Sequence, residues 1–268
     1  FHMTIDFHTH CYPDHLAATA LGKWKGTGDV VLPDGTLNAL LSDLDAAGIR
    51  RAVVLNVAHR PHSTHDVNDF AAAIQRTHPD RLRCFGSVHP DAPDAMEELL
   101  RIKELGLCGV KLHPMFQGFD PMAERYFLLY REMGRMGLPV VFHCGRHPNF
   151  TTVLQPVQMA AILPQFEGAP VIGAHLCGLQ GETDQLELLA SLPVYVDFGF
   201  CARYFDPDTL RSILECLDED RILFGSDTPW DTVAHELEAL RSVGLPQRKL
   251  NKILFENAAR LLDWPGGL

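Results

Sequence analysis

Disulfide pairing, long apolar spans and an excess of basic charge are all missing from this 268-residue chain. Its seven cysteines are an odd number, scattered, with no Cys-x-x-Cys pair. That excludes a disulfide framework and reads as reduced thiols in a cytoplasmic protein. The apolar runs are short, such as Pro139–Phe142, against the roughly 20 residues a bilayer span requires, so no membrane partner is expected. Lys and Arg number 23 against 34 Asp and Glu, a formal net charge of −11. Such a chain lacks the basic footprint on which non-specific nucleic-acid binding rests, and no nucleic-acid partner is expected. No Pro/Ser-rich linker or charge block divides it, so residues 3–268 read as one domain. Phe1-His2, ahead of Met3, read as vector-derived. A composition of 46% hydrophobic and 21% charged residues excludes a disordered, collagen-like or coiled-coil chain.

What is present is a rhythm. Eight apolar runs recur: Thr4–His8, Arg51–Val57, Leu82–Val88, Gly109–His113, Pro139–His143, Pro170–His175, Val194–Phe198 and Arg221–Phe224. They are too short for helices and lack strict polar alternation, as strands covered on both faces do. Between them lie stripes of helical period. Leu37, Leu40, Leu41 and Leu44 form one; Met96, Leu99 and Leu100, edged by the Lys103 stem, form a second; Leu210, Ile213, Leu214 and Leu217 form a third. Pro93, Pro121 and Pro207 mark helix starts, and Gly48, Gly106 and Gly137 mark helix ends. Lys252–Leu262 closes the chain as an amphipathic helix. Eight strands alternating with helices predict an α/β protein, a single (β/α)8 TIM barrel. The competing open, doubly wound sheet lacks a Gly-rich phosphate loop after its first strand.

The reactive side chains fall at strand ends. Strand 1 ends in Asp6-Phe7-His8-Thr9-His10, and alternation turns His8 and His10 to one side. Later strands end in His143, His175 and Gly225-Ser226-Asp227, and the fourth carries Lys111 and His113. Lys111 to His143 is 32 residues, and His143 to His175 is 32 again, so one βα unit returns the same depth each time. A lone strand-end histidine is most often a hydrogen-bonded structural residue. A His-x-His pair with two further His and one Asp at strand ends of one barrel is not a packing pattern. Imidazole with carboxylate suits zinc and neighbouring divalent metals.

These segments resemble the amidohydrolase superfamily, in its amidohydrolase-2 branch, the one that includes aminocarboxymuconate-semialdehyde decarboxylase. The resemblance rests on Asp6–His10, Gly109–Pro114, Leu138–His143, Phe224–Trp230 and Asn257–Leu262, and covers nearly the whole chain. It implies a metal held by His8, His10, His143 and Asp227, and the ligand chemistry makes zinc the foremost candidate. It also implies that His175 acts beside that metal as a catalytic base or binds a second one.

A divalent metal lowers the pKa of bound water to about 7 and polarises a carbonyl. Asp227 would accept the water's proton and deliver it to a leaving group, and His175 would orient the carbonyl or stabilise an oxyanion. That predicts a hydrolase of an amide, lactone or ester in a small, carboxylate-bearing molecule. The same parts serve nonoxidative decarboxylation. An inactive barrel and a metal-dependent deoxyribonuclease are the remaining readings, though the latter branch's bridging carboxylate on strand 4 is absent here.

Lys111 has three open states: neutral, paired with Asp6 or substrate, or carbamylated and bridging two metals. The third resembles dihydroorotases, which carry the carbamate on a similar Lys-Leu-Tyr-Pro stretch. Lys111 is therefore counted with Asp227 and His175 as catalytic. Arg60, His89, Arg146 and Arg203 follow other strands, where convergent Arg suggests an anionic substrate and isolated Arg suggests a solvated loop. His113, Arg146, Arg203 and Trp230 are the expected substrate contacts. Trp24 and Trp230 read equally as pocket walls or loop packing. A nucleophilic role for Cys11, Cys144, Cys177 or Cys201 is the weaker explanation of each. Self-association into a homo-oligomer stays open.

Overall fold

The computed structural model describes residues 3–22, 32–147 and 149–265, so Trp24, Phe1 and His2 lie outside the described residues. The chain forms two compact units. The first comprises Phe1–Val54, His78–Arg83 and Asp197–Leu268, the second Leu55–Thr77 and Cys84–Val196.

In the first unit, β1 (Ile5–Thr9) is buried at every position. It pairs in parallel with β2 (Arg51–Val54), Ile5 opposite Arg51 and Thr9 opposite Val54, with a register irregularity between Asp6 and Thr9. On its other side the Phe7 N–H donates to the Phe224 carbonyl (2.8 Å) and the Asp227 N–H donates to the His8 carbonyl (2.7 Å). The Phe198 N–H then reaches the Leu223 carbonyl (2.9 Å). The helix Leu37–Ala46 starts at Thr36, whose hydroxyl accepts the Ala39 N–H, and buries Leu40 and Leu44 as the stripe predicts. The helix Pro207–Cys216 starts at Asp206, whose carboxylate accepts the Asp208 and Thr209 N–H groups, and buries Leu210, Ile213 and Leu214. The expected closing helix contains a π turn, Lys252–Glu256, followed by α-helix Asn257–Leu261. Buried Asn257 donates to the carbonyls of Glu219 and Ile222, both at 2.8 Å, tying this helix to β9 (Ile222–Leu223).

In the second unit the order is β4 (Gly86–Ser87), β5 (Val110–Leu112), β6 (Val140–Phe142), β7 (Val171–Gly173) and β8 (Tyr195–Asp197), whose last residue passes into the first unit. Pairing is parallel between β4 and β5, β5 and β6, β6 and β7, and β7 and β8. The expected strand Leu82–Val88 is divided into β3 (Leu82–Cys84) and β4, with Phe85 between them. Gly86 follows the break, where the Ile102 side chain comes so close that a Cβ would lie 2.6 Å from it.

One helix face departs from expectation. In Ala95–Glu104 the buried residues are Ala95, Glu98, Leu99 and Ile102, while Leu100 is 53% exposed. Glu98 takes the inward position because its carboxylate is satisfied there, accepting from Asn68 Nδ2 (2.7 Å) and Arg101 (2.9 Å). A buried charge is tolerated only with such partners. Gly48, Gly106 and Gly137 end their helices at φ of 71°, 72° and 68°, left-handed values open to glycine.

Candidate active site

In the first unit β1 delivers two imidazoles to one place. The Nε2 atoms of His8 and His10 lie 3.2 Å apart, and Asp227 Oδ1 lies 3.2 Å from the first and 3.1 Å from the second. Asp227 reaches them from a left-handed backbone, φ 62°, pinned by its N–H bond to the His8 carbonyl. Gly225 permits the approach: a Cβ there would stand 2.6 Å from the His8 Cβ.

Asp197, which the sequence reading missed, sets the His8 ring. Its Oδ2 lies 2.8 Å from His8 Nδ1, and its Oδ1 accepts the Gly199 N–H (3.0 Å). Since a carboxylate only accepts, His8 carries its proton on Nδ1 and turns the Nε2 lone pair toward His10 and Asp227. The signal was a carboxylate inside an apolar strand run. Three basic donor atoms about 3 Å apart repel one another unless a cation or proton lies among them. Ligands bound at about 2.0–2.2 Å span similar edges, so this donor set fits a divalent metal of the zinc type. The Asp197–His8 bond is the outer support such ligands usually have.

Asp6 is fully buried and takes the His8 (3.2 Å) and Ser226 (3.0 Å) N–H groups on one oxygen. Burial pushes its carboxyl up to about 7. Nearby, Arg203 donates from Nε to Asp231 (2.8 Å) with its guanidinium over the Phe200 ring, so it is a buried ion pair and not a solvated loop charge. Asp231 also holds His235 Nδ1 (2.9 Å). Trp230 is half-buried, its N–H bonded to the Asp227 carbonyl (2.9 Å). Burial raises the thiols of Cys11, to about 12, and Cys201, which disarms both as nucleophiles.

In the second unit the rings of His113 and His143 stack, centroids 3.8 Å apart at 9°, and His175 Nε2 lies 3.1 Å from His143 Nδ1. Lys111 is fully buried on β5, and its carbonyl accepts the Ser87 hydroxyl (2.9 Å). His175 does not end its strand as expected. It opens a left-handed turn in which His175, Leu176, Cys177 and Gly178 all have positive φ, from 50° to 76°. Such backbone costs about 1–2 kcal/mol per non-glycine residue, and strain of this kind collects at functional positions. Buried Leu176 and Cys177 side chains anchor the turn.

His113 Nδ1 accepts the Phe116 N–H (3.3 Å), so its neutral ring bears the proton on Nε2. Gln117, also missed from sequence, accepts the His113 N–H (2.8 Å) and donates to the Ala58 (3.0 Å) and Val88 (2.9 Å) carbonyls, joining three strand-end loops. His89 is a structural histidine: its Nδ1 accepts the Asp91 N–H (3.2 Å), and burial lowers its pKa. Arg146 is exposed and paired with Glu182, and Arg60 is exposed at the start of a 3-10 turn.

Residues 5–264 match the family described as Amidohydrolase (Amidohydro_2), and the chain belongs to that family. The solved structures it resembles share its (β/α)8 TIM-barrel fold. A TIM-barrel protein of Bordetella bronchiseptica is 20% identical, with a TM-score of 0.77 over 98% of this chain and 99% of that one. A Pseudomonas putida protein named for 2-pyrone-4,6-dicarboxylic acid hydrolysis is 21% identical, with a TM-score of 0.73 over the whole of both chains. A dihydroxybenzoic acid decarboxylase of Polaromonas sp. JS666, solved with manganese and 2-nitroresorcinol, is 16% identical, with a TM-score of 0.76 over 98% and 97%. Among curated proteins, the 3'-5' ssDNA/RNA exonuclease TatD of Pantoea sp. (strain At-9b) is 25% identical over 175 residues, 60% of this chain and 63% of that protein. A TatD of Erwinia tasmaniensis matches at 24% over 173 residues, again 60% of this chain and 63% of that protein. The chain thus spans under two thirds of the length of these curated relatives. Among the described residues no helix is long and apolar enough to cross a membrane.

Proposed function

We propose that the protein is a metal-dependent hydrolase that uses water to cleave an amide, lactone or ester bond in a small, carboxylate-bearing molecule. The observation that carries this reading is the convergence of His8 Nε2, His10 Nε2 and Asp227 Oδ1 within 3.2 Å of one another. Those three residues would hold a divalent metal, zinc foremost. Family membership is the reason for adding His143 as the fourth ligand. When bound, such an ion acidifies water and polarises a carbonyl.

The remaining chemistry falls to the chain's own groups. Asp227 takes the proton of the attacking water and returns it to the leaving group. His175, braced by its left-handed turn, donates toward the developing oxyanion. His113 offers its Nε2 proton to a substrate oxygen. Arg203, held at Nε by Asp231, and Arg146 are the proposed carboxylate contacts, and Trp230 is a further proposed substrate contact. Lys111 is proposed as catalytic in one of three states: neutral, paired with Asp6 or substrate, or carbamylated, in which form it would support a second metal.

Nonoxidative decarboxylation is the second reading, favoured by the decarboxylases among the similar structures. The curated exonuclease relatives keep a nuclease reading in view, and the net charge of −11 weighs against it.

The test is turnover of a panel of carboxylate-bearing lactones, esters and amides in ¹⁸O-water. Label in the product carboxylate is the expected result; carbon dioxide release with no label in the organic product would replace the hydrolase by the decarboxylase. Under either reading Asp227→Asn should fold normally and lose about 10²–10⁴-fold in kcat, as removal of a general acid–base does. Unchanged kcat would take Asp227 out of the mechanism.

A further inference from the structure

We propose that Asp43, on the helix Leu37–Ala46, is a positioning residue of the metal centre: it fixes the segment that presents Asp227, and through Thr228 it also steadies His10. The proposal rests on the metal reading above and extends it to a side chain outside the ligand set.

Asp227 presents its carboxylate from φ 62°, a left-handed backbone that a non-glycine residue keeps only where its surroundings hold it there. The residue after it, Thr228, is 1% exposed, and its three polar groups are all engaged. Its carbonyl accepts the His10 N–H (2.8 Å) and its N–H donates to the Ser226 hydroxyl (3.1 Å). Its own hydroxyl donates to Asp43 Oδ2 (2.9 Å). Ser226 and His10 belong to the two segments that carry the ligands, so they move with them. Asp43 stands on a separate element and supplies a reference from outside.

Asp43 holds the far end of the same segment as well. Its Oδ2 also accepts the N–H of Val233 (3.2 Å), the first residue of the helix Val233–Ser242. One oxygen of a half-buried carboxylate thus pins residues 228 and 233, the two ends of the chain that follows Asp227. Between them the Trp230 N–H closes a turn onto the Asp227 carbonyl (2.9 Å). The helix that carries Asp43 is itself anchored: Thr36 caps its first turn, and Leu40 and Leu44 are buried.

A ligand atom must lie within about 0.2 Å of its ideal distance to serve a divalent ion well. Groups that orient ligands from behind usually carry about 10–100-fold of metal affinity. Both bonds to Asp43 end on one acceptor oxygen, so an amide carbonyl in that place can take both, whereas an alkyl group takes neither. Position and charge therefore separate in one comparison. Asp43→Asn removes the charge and keeps the acceptor; Asp43→Leu removes both.

The test is the zinc affinity of the chelator-stripped protein, read by competition with a chromophoric chelator, with the Tm of each metal-free variant alongside. Asp43→Leu should weaken zinc by about tenfold or more, and Asp43→Asn should stay within about threefold of the wild type. Thr228→Val, which deletes the hydroxyl, should weaken zinc in the same direction, and Thr228→Ser should not. Added to Asp43→Leu, Thr228→Val should cost nothing further, because both remove the same bond. Asp45→Asn, on the same helix but exposed and paired with Arg81, should leave the affinity untouched. Should Asp43→Leu fail to fold, the contrast between Thr228→Val and Thr228→Ser decides alone. Unchanged affinity in Asp43→Leu or in Thr228→Val, whatever the metal-free Tm does, overturns the positioning role while leaving the metal reading intact. So do losses that multiply in the double variant, or an Asp43→Asn as weak as Asp43→Leu, which would make the effect one of charge. A wild type that binds no zinc overturns the metal reading and this proposal together.

Discussion

At the scale of single residues, the arrangement that matters most is one carboxylate acting through another residue's ring. Asp197 is fully buried, held by the Gly199 N–H, and touches His8 at Nδ1. Its negative charge favours the tautomer that leaves Nε2 unprotonated and raises the basicity of that nitrogen. Asp197→Asn keeps the shape, removes the charge and can present an N–H to the ring. Zinc affinity should then fall about 10–100-fold, read by competition with a chromophoric chelator. With Asp197 proposed to act through the His8 ring, the variant bound at saturating zinc should recover most of its activity. An unchanged affinity would show that Asp197 merely fills space.

Elements in this protein meet closely where small residues allow it. The helix Phe127–Arg135 crosses the turn Leu163–Phe166 at Gly134, where an added Cβ would stand 2.2 Å from the Phe166 carbonyl oxygen. The obstacle is backbone and cannot rotate away. Helix propensity alone says that Gly134→Ala should stabilise the helix by about 1 kcal/mol. The packing says the opposite, and overpacking of this kind costs about 1–3 kcal/mol. Urea denaturation decides by sign: a lower midpoint is expected, and a higher one would contradict the contact. The same close approach lets Tyr130 stack on Phe166 at 4.9 Å, with Phe142 edge-on to both, so the clash would be felt in the core behind β6.

For the molecule as a whole, a metal bound at the proposed site would add to the stability as well as to the chemistry. Anything bound by the folded chain and not the unfolded one stabilises by mass action, about 2.7 kcal/mol at a hundredfold excess over Kd. In a chain of this length that corresponds to roughly 5–10 °C in Tm. Exhaustive chelation should lower Tm by that order, and stoichiometric zinc should restore it. Restoration at one equivalent supports a single metal, while a second step at two equivalents supports the Lys111 carbamate. A Tm indifferent to both chelator and zinc would remove the metal from the folded state.

Local pattern determined a great deal. The eight apolar runs appear as strands, the third divided at Phe85. Proline and glycine placed helix ends, and His-x-His announced two rings on one side of β1, because periodicity and caps act over a few residues of chain. What only the tertiary structure decided involves partners far apart in sequence. Asp197 looks like one more strand residue until it meets His8, 189 positions away. Glu98 displaces Leu100 from the core because Asn68, Arg101 and His65 satisfy its carboxylate. The left-handed turn at His175 opposes every local preference of its three non-glycine residues, and persists because their burial supplies what the backbone lacks. Periodicity is a property of neighbours, whereas the satisfaction of a buried charge or a strained turn is a property of the packed whole.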